Sequence, residues 1–133
     1  MKNPIYSGKR KTAIAKATIV AGKGKILINR KPMGFYPELQ TLELEEPIRI
    51  AKDVLGKFEF DISVNVKGGG IACQIEAARL AIARALVGES KSEKLRDAYL
   101  QYDRNLLVAD TRRKEAYKPD DSKARAKRQT SYR

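Results

Sequence analysis

Hydrophobic and polar positions alternate most cleanly between Phe58 and Lys67. Phe58, Phe60, Ile62, Val64 and Val66 fall on one parity, and Glu59, Asp61, Ser63, Asn65 and Lys67 on the other. This period of two predicts a strand with one face covered and the other wet. After Gly68, Gly69 and Gly70 the period lengthens to that of a helix. On a wheel with Ile75 at the origin, Ile71, Ala78, Ile82 and Leu86 lie within about 60° of it, so 71–87 is predicted to be a helix lying on the sheet. Arg84 then points nearly opposite the buried stripe, whereas Arg79 sits at its edge and must snorkel or meet an anion.

Weaker patterns fill in the remainder. Ala13 to Val20 and Lys25 to Asn29 are β-rich and joined by Ala21-Gly22-Lys23-Gly24, which predicts an antiparallel hairpin pair. Pro37 to Glu45 and Pro47 to Leu55 each begin with proline and continue with helix formers, predicting two short helices. Lys91 to Gln101 is predicted as a further helix capped by Ser90 or Ser92, and Leu106 to Val108 as a short strand. The sum is an α+β fold with a mixed or antiparallel sheet of about four strands and helices packed on one face. A globular body is expected over 1–110 and a basic C-terminal extension over 111–133, with no internal repeat.

Charge sharpens this division. Met1 to Lys31 carries nine Lys/Arg and no acid, Pro32 to Asp103 carries nine against twelve, and Arg104 to Arg133 carries ten against four. The net charge of +12 is therefore concentrated at the two ends of the chain. A polyanion is the natural partner, nucleic acid before membrane, because no segment pairs a strong apolar face with a Lys/Arg-rich one. The apolar runs are far shorter than the roughly 18 residues of a membrane span, and no apolar leader segment is seen, so a cytosolic protein is expected.

Enzymatic and metal chemistry find little support. The chain has no histidine and one cysteine, Cys73, which excludes an internal disulfide, a Cys-based zinc site and the Ser/His or Cys/His nucleophile arrangements. Cys73 reads as a small packed hydrophobe. Gly8-Lys9 does not belong to a Walker A loop, since Arg10 stands where Ser or Thr should hold magnesium and Asn3 stands where a glycine is needed. No cofactor is expected.

The candidate binding residues are cationic or glycine. Lys9, Arg10 and Lys11 precede the first predicted strand on a flexible segment and suit phosphate contacts; their alternative is a solvated edge that discourages aggregation. Gly68, Gly69 and Gly70 lie before a helix N-terminus, where they serve as a tight turn or cradle a phosphate. Arg112, Arg113 and Lys114 open the extension, and Lys123, Arg125, Lys127 and Arg128 continue it. The segment from Asp120 onward has Tyr132 as its only large apolar group, too little to offset an ordering cost of roughly 1 to 2 kcal/mol per residue. A partner must order it.

Three stretches carry a family resemblance: SGKRKTAIAKATIVAGKGKILIN, VKGGGIACQIEAARLAIARAL and YDRNLLVADTRRKEAYKPDDSKARAKRQTSYR. They resemble the signature blocks of the S-nine family of small-ribosomal-subunit proteins, and the closing KARAKRQTSYR is similar to its archaeal and eukaryotic branch. Family members commonly carry glycine where Cys73 stands. The resemblance implies a ribosomal-protein-S5 second-domain-like fold, a ribosome-bound place on rRNA in the head of the small subunit beside neighbouring head proteins, and a tail reaching toward the anticodon stem-loop of P-site tRNA. On that reading the rRNA-binding residues are the cations and glycines named above together with Arg79, Arg84 and Arg104, and Ser131, Tyr132 and Arg133 are the tRNA-proximal ones. Two other readings stay open: a small-metabolite phosphotransferase using the Gly68 to Gly70 loop with Glu76 nearby, and a free nucleic-acid-binding regulator.

Overall fold

The computed structural model describes residues 2–119 and Ala124. Five strands, β1 (Ile5–Arg10), β2 (Ala13–Ala21), β3 (Ile26–Ile28), β4 (Lys31–Pro32) and β5 (Phe60–Lys67), form one sheet in the order β1-β2-β5-β3-β4. Three helices, α1 (Glu38–Leu55), α2 (Ile71–Ser90) and α3 (Glu93–Tyr102), complete the body. The fold is α+β with a mixed sheet, consistent with the ribosomal-protein-S5 second-domain-like class. Helix α2 lies on β1, β2 and β5, while α1 and α3 pack on α2 and on each other.

The inner face of the sheet is built from small residues where α2 crosses it. Ala13, Ala15 and Ala17 of β2 are fully buried, as are Ala77, Ala78, Ala81 and Ala85 of α2. The closest approach is at Gly8 of β1. A Cβ there would overlap the Ala77 carbonyl oxygen and lie 2.8 Å from the Ala81 amide nitrogen. Helix α2 consequently buries more than one stripe, with nine residues from Ile75 to Leu86 inside the core. Ile71, expected on that stripe, is 63% exposed because the first turn of α2 extends past the sheet.

Four further expectations are corrected. The pair Ala13 to Val20 and Lys25 to Asn29 is not a hairpin: β5 runs between them, antiparallel to β2 and parallel to β3. Local glycines cannot distinguish a hairpin from a link that crosses one intervening strand, a span of roughly 10 Å. The Asp61 side chain of β5 fixes this crossing, with Oδ1 accepting from the backbone N–H groups of Lys23, Gly24 and Lys25 at 2.8–3.0 Å. Those bonds, Lys25's foremost, hold the Asp61 carboxyl below its ordinary pKa.

The two proline-led helices are a single helix, α1, with Pro47 inside it. Proline removes one helical N–H, but the Pro47 ring is fully buried and its carbonyl accepts from the Tyr99 hydroxyl of α3 at 2.6 Å. Tertiary packing overrides the local break. Leu106 to Val108 is not a strand; Arg104–Leu106 makes a 3₁₀ turn after α3, with the Asp103 carboxylate accepting from the Asn105 N–H. The Lys9 to Lys11 segment is not a loose lead-in, because β1 pairs with β2 from Ile5↔Thr18 to Arg10↔Ala13. The α3 cap is Ser92, whose hydroxyl accepts from the Leu95 N–H.

Among the described residues Tyr99 is the largest fully buried side chain, and burial raises its hydroxyl pKa. Replacing it with phenylalanine keeps the ring and removes only the bond to Pro47. Urea unfolding of Tyr99→Phe is expected to show a loss of about 1 kcal/mol. An unchanged midpoint would mean that the hydroxyl does not tie α3 to α1.

Candidate nucleic-acid interface

Two motifs separated by more than fifty residues in sequence meet at one end of the sheet. The β1–β2 turn is Lys11-Thr12, with Lys11 in the left-handed region at φ 52°. Against it lies the glycine loop. Gly68 and Gly69 have φ 81° and 69°, and a Cβ at Gly68 would fall 2.6 Å from the Thr12 carbonyl oxygen. Backbone contact and positive φ together require glycine at Gly68. Gln74 of α2 closes the turn by donating from Nε2 to the Gly68 carbonyl at 3.2 Å. Gly70 caps α2 with no side chain over the first helical amides. Lys9, Lys11 and Lys67 all lie exposed around this corner.

The cations differ in their fates. Arg10 faces inward from β1, with its side chain 13% exposed, and its Nε meets Glu76 of α2 at 2.7 Å. Its NH1 lies 3.4 Å from Asp110 and from the Arg112 carbonyl. Arg79 pairs with Glu46 of α1 and, at 3.4 Å, with Asp103. Arg84 donates to the Leu107 carbonyl at 3.1 Å and to the Ser7 carbonyl at 2.8 Å. These three arginines fasten the 103–112 segment to β1, α1 and α2. Arg10, Arg79 and Arg112 border a cavity of about 300 Å³ that Glu43, Glu46, Glu76, Asp103 and Asp110 also line.

Glu76, the acid that a phosphotransferase would need near the glycine loop, is thus occupied by Arg10. Among the described residues no three His, Cys, Asp or Glu side chains are grouped to hold a metal, and no helix is long and apolar enough to cross a membrane. Cys73 is half-buried and packs against the core.

Outside these arginine contacts, Arg104, Arg113 and Lys114 are exposed. Lys114 stacks over the Tyr117 ring at 4.4 Å. Arg112 is exposed but forks onto Asp110, with NH2 2.8 Å from Oδ2. Lys123, Arg125, Lys127, Arg128, Ser131, Tyr132 and Arg133 lie outside the described residues. The carboxylate partners of the arginines were not found in the sequence, because pairs such as Arg10 and Asp110 have no local spacing signal. Lys16 is also exposed, and its diagonal place to Lys67 depends on strand register.

A model of the family described as "Ribosomal protein S9/S16" matches residues 8–133. The chain belongs to this family. It is similar to the small ribosomal subunit protein uS9 of Methanococcus vannielii, 46% identical over 129 residues that cover 95% of each chain. The same identity and coverage hold for uS9 of two Methanococcus maripaludis strains, C5 and C7. As an S9/S16 protein of archaeal type the chain is a structural constituent of the small ribosomal subunit and not an enzyme. The phosphotransferase reading is thereby overturned.

The Asp110 clamp is pH-sensitive in a predictable direction. The Arg112 side-chain hydrogen bond, helped by the Arg112 N–H and the Arg10 charge, lowers the Asp110 pKa to about 2. A depressed carboxyl pKa stabilises the fold fully above the unfolded value near 4 and ceases to do so as pH falls through about 2. Carboxyl NMR is expected to place the Asp110 midpoint near 2, and the stability difference between wild type and Asp110→Asn is expected to shrink below about pH 4. A midpoint near 4 would contradict the clamp.

Proposed function

We propose that this S9/S16 protein binds small-subunit rRNA through its exposed cations and glycine corner, and carries its C-terminal tail toward the anticodon stem-loop of P-site tRNA. The observation that carries this reading is the family match running through Arg133, which includes the basic tail as well as the body. Lys9, Lys11, Arg104, Arg113 and Lys114 serve as positioning contacts to phosphate, with the Gly68 to Gly70 corner beside them. Arg10, Arg79, Arg84 and Arg112 contribute by fixing the path of the chain from α3 into the tail.

Lys123, Arg125, Lys127 and Arg128 continue along rRNA, and Ser131, Tyr132 and Arg133 approach tRNA. Arg133 supplies a guanidinium for one phosphate and Tyr132 a ring able to stack. Neighbouring proteins of the subunit head share the site, and the protein works ribosome-bound in the cytoplasm. A free nucleic-acid-binding regulator would instead remain off the ribosome in a low-salt sucrose gradient.

The test is to assemble small subunits with the full-length protein or with a version lacking Ser131 to Arg133, confirm equal occupancy, and titrate tRNA. Assembly is expected to be unaffected, since the body and upstream cations supply most of the attachment. P-site affinity is expected to fall by the equivalent of about 1 to 3 kcal/mol, more at raised salt. Equal tRNA affinity would leave the tail as an rRNA anchor only.

A further inference from the structure

The helices cover one face of the sheet, and the opposite face has a chemistry of its own. Outward positions fall in register rows: Lys9, Ile14 and Lys67 form one, and Ser7, Lys16 and Asn65 form the next. Ile5, Thr18 and Ser63 follow in the third. Lys9, Lys16 and Lys67 are exposed, and none is ion-paired among the described residues. The carboxylates on this parity, Glu59 and Asp61, stand at the far end, Asp61 opposite Val20 with its Oδ1 occupied by three backbone N–H groups. The half of the face nearest the glycine corner is therefore uniformly positive.

That face also lacks any means of stacking bases. The outward positions of β1, β2 and β5 hold no aromatic residue, because Tyr6 and Phe60 fall on the inward parity with the core. A sheet that recognises single strands needs exposed rings. What it offers instead is a surface on which the Ser7, Thr18 and Ser63 hydroxyls and the Asn65 amide lie among lysines, with Ile5, Ile14 and Val20 as its exposed apolar groups. A-form RNA presents a wide, shallow minor groove lined with 2′-hydroxyls and bordered by phosphates.

We infer that the outward sheet face around Lys16, Asn65 and Lys67 docks on the minor groove of an RNA duplex. Lys9, Lys16 and Lys67 meet the bordering phosphates, and Asn65 and Ser63 meet 2′-hydroxyls. The inference rests on the rRNA-binding reading and adds to it which face of the body is used and which form of RNA it takes.

The experiment uses the full-length protein and small-subunit rRNA over a range of salt, comparing wild type, a Lys16→Gln/Lys67→Gln double variant and a control double variant, Lys94→Gln/Arg96→Gln, on α3. The sheet variant is expected to bind about tenfold more weakly at moderate salt, with the salt slope reduced by about one to two, while the α3 variant stays unchanged. Circular dichroism checks that each variant is folded.

In a second arm, a hydroxyl-radical source is tethered to Asn65→Cys in a Cys73→Ala background and is expected to cut both strands of a paired rRNA segment. Wild type failing to bind rRNA at all would remove the underlying reading. Wild type binding with the sheet variant indistinguishable from it would overturn this face alone. Cleavage confined to unpaired nucleotides, or no cleavage of the bound rRNA, would overturn it too.

Discussion

The structure depends on how closely α2 approaches the β1–β2 hairpin. Gly8 lies against the Ala77 carbonyl and the Ala81 amide, and the flanking contacts are made by alanines on both elements. Near-backbone contact of this kind gains dispersion energy along the whole length of the helix, and it leaves no room for even one added carbon at its tightest point. Gly88 repeats the theme at the C-terminal end of α2, where a Cβ would overlap the Tyr6 ring. Because α2 is seated so near the strand, Arg10 can reach Glu76 and Arg84 can reach the Ser7 carbonyl.

From that seating follows a division of labour among the cations. Arginines Arg10, Arg79 and Arg84 turn toward carboxylates and carbonyls of the same chain, and their planar forks bind two elements at once. Isolated exposed ion pairs contribute little, about 0 to 1 kcal/mol. Here their value is positional, since each one fixes part of the route from α3 toward residue 112. Lysines Lys9, Lys11, Lys16 and Lys67 stay in solvent as point charges. In this body the strong positive charge is therefore partly structural and partly available to RNA.

Elements with a strong period of their own were legible in the sequence. The alternation of β5 and the switch to a helical period after Gly70 gave both elements nearly to their ends. What was not legible came from contacts distant in sequence. The strand β1 has no alternation to read, because its inward positions are Tyr6, Gly8 and Arg10, and a glycine facing a helix looks like a loop residue. Pro47 reads as a helix start unless the partnership with Tyr99 is known. The hairpin expectation fails because Asp61, which ties the 23–25 link across the sheet, lies on β5 rather than in the link. At the candidate site the separate cation and glycine motifs were visible, but their adjacency was not, and which arginines are spent internally depends on the fold.

The most direct test of the central constraint compares two identical substitutions. Gly8→Ala places a methyl group into the backbone of α2, whereas Gly34→Ala meets nothing within 4 Å. Urea unfolding is predicted to show Gly8→Ala less stable than wild type by at least about 1 to 3 kcal/mol, the range for overpacking a core. Gly34→Ala is predicted to stay within about 0.5 kcal/mol of wild type. Equal stability of the two variants would contradict the claim that the α2–β1 contact sets the rest of the structure.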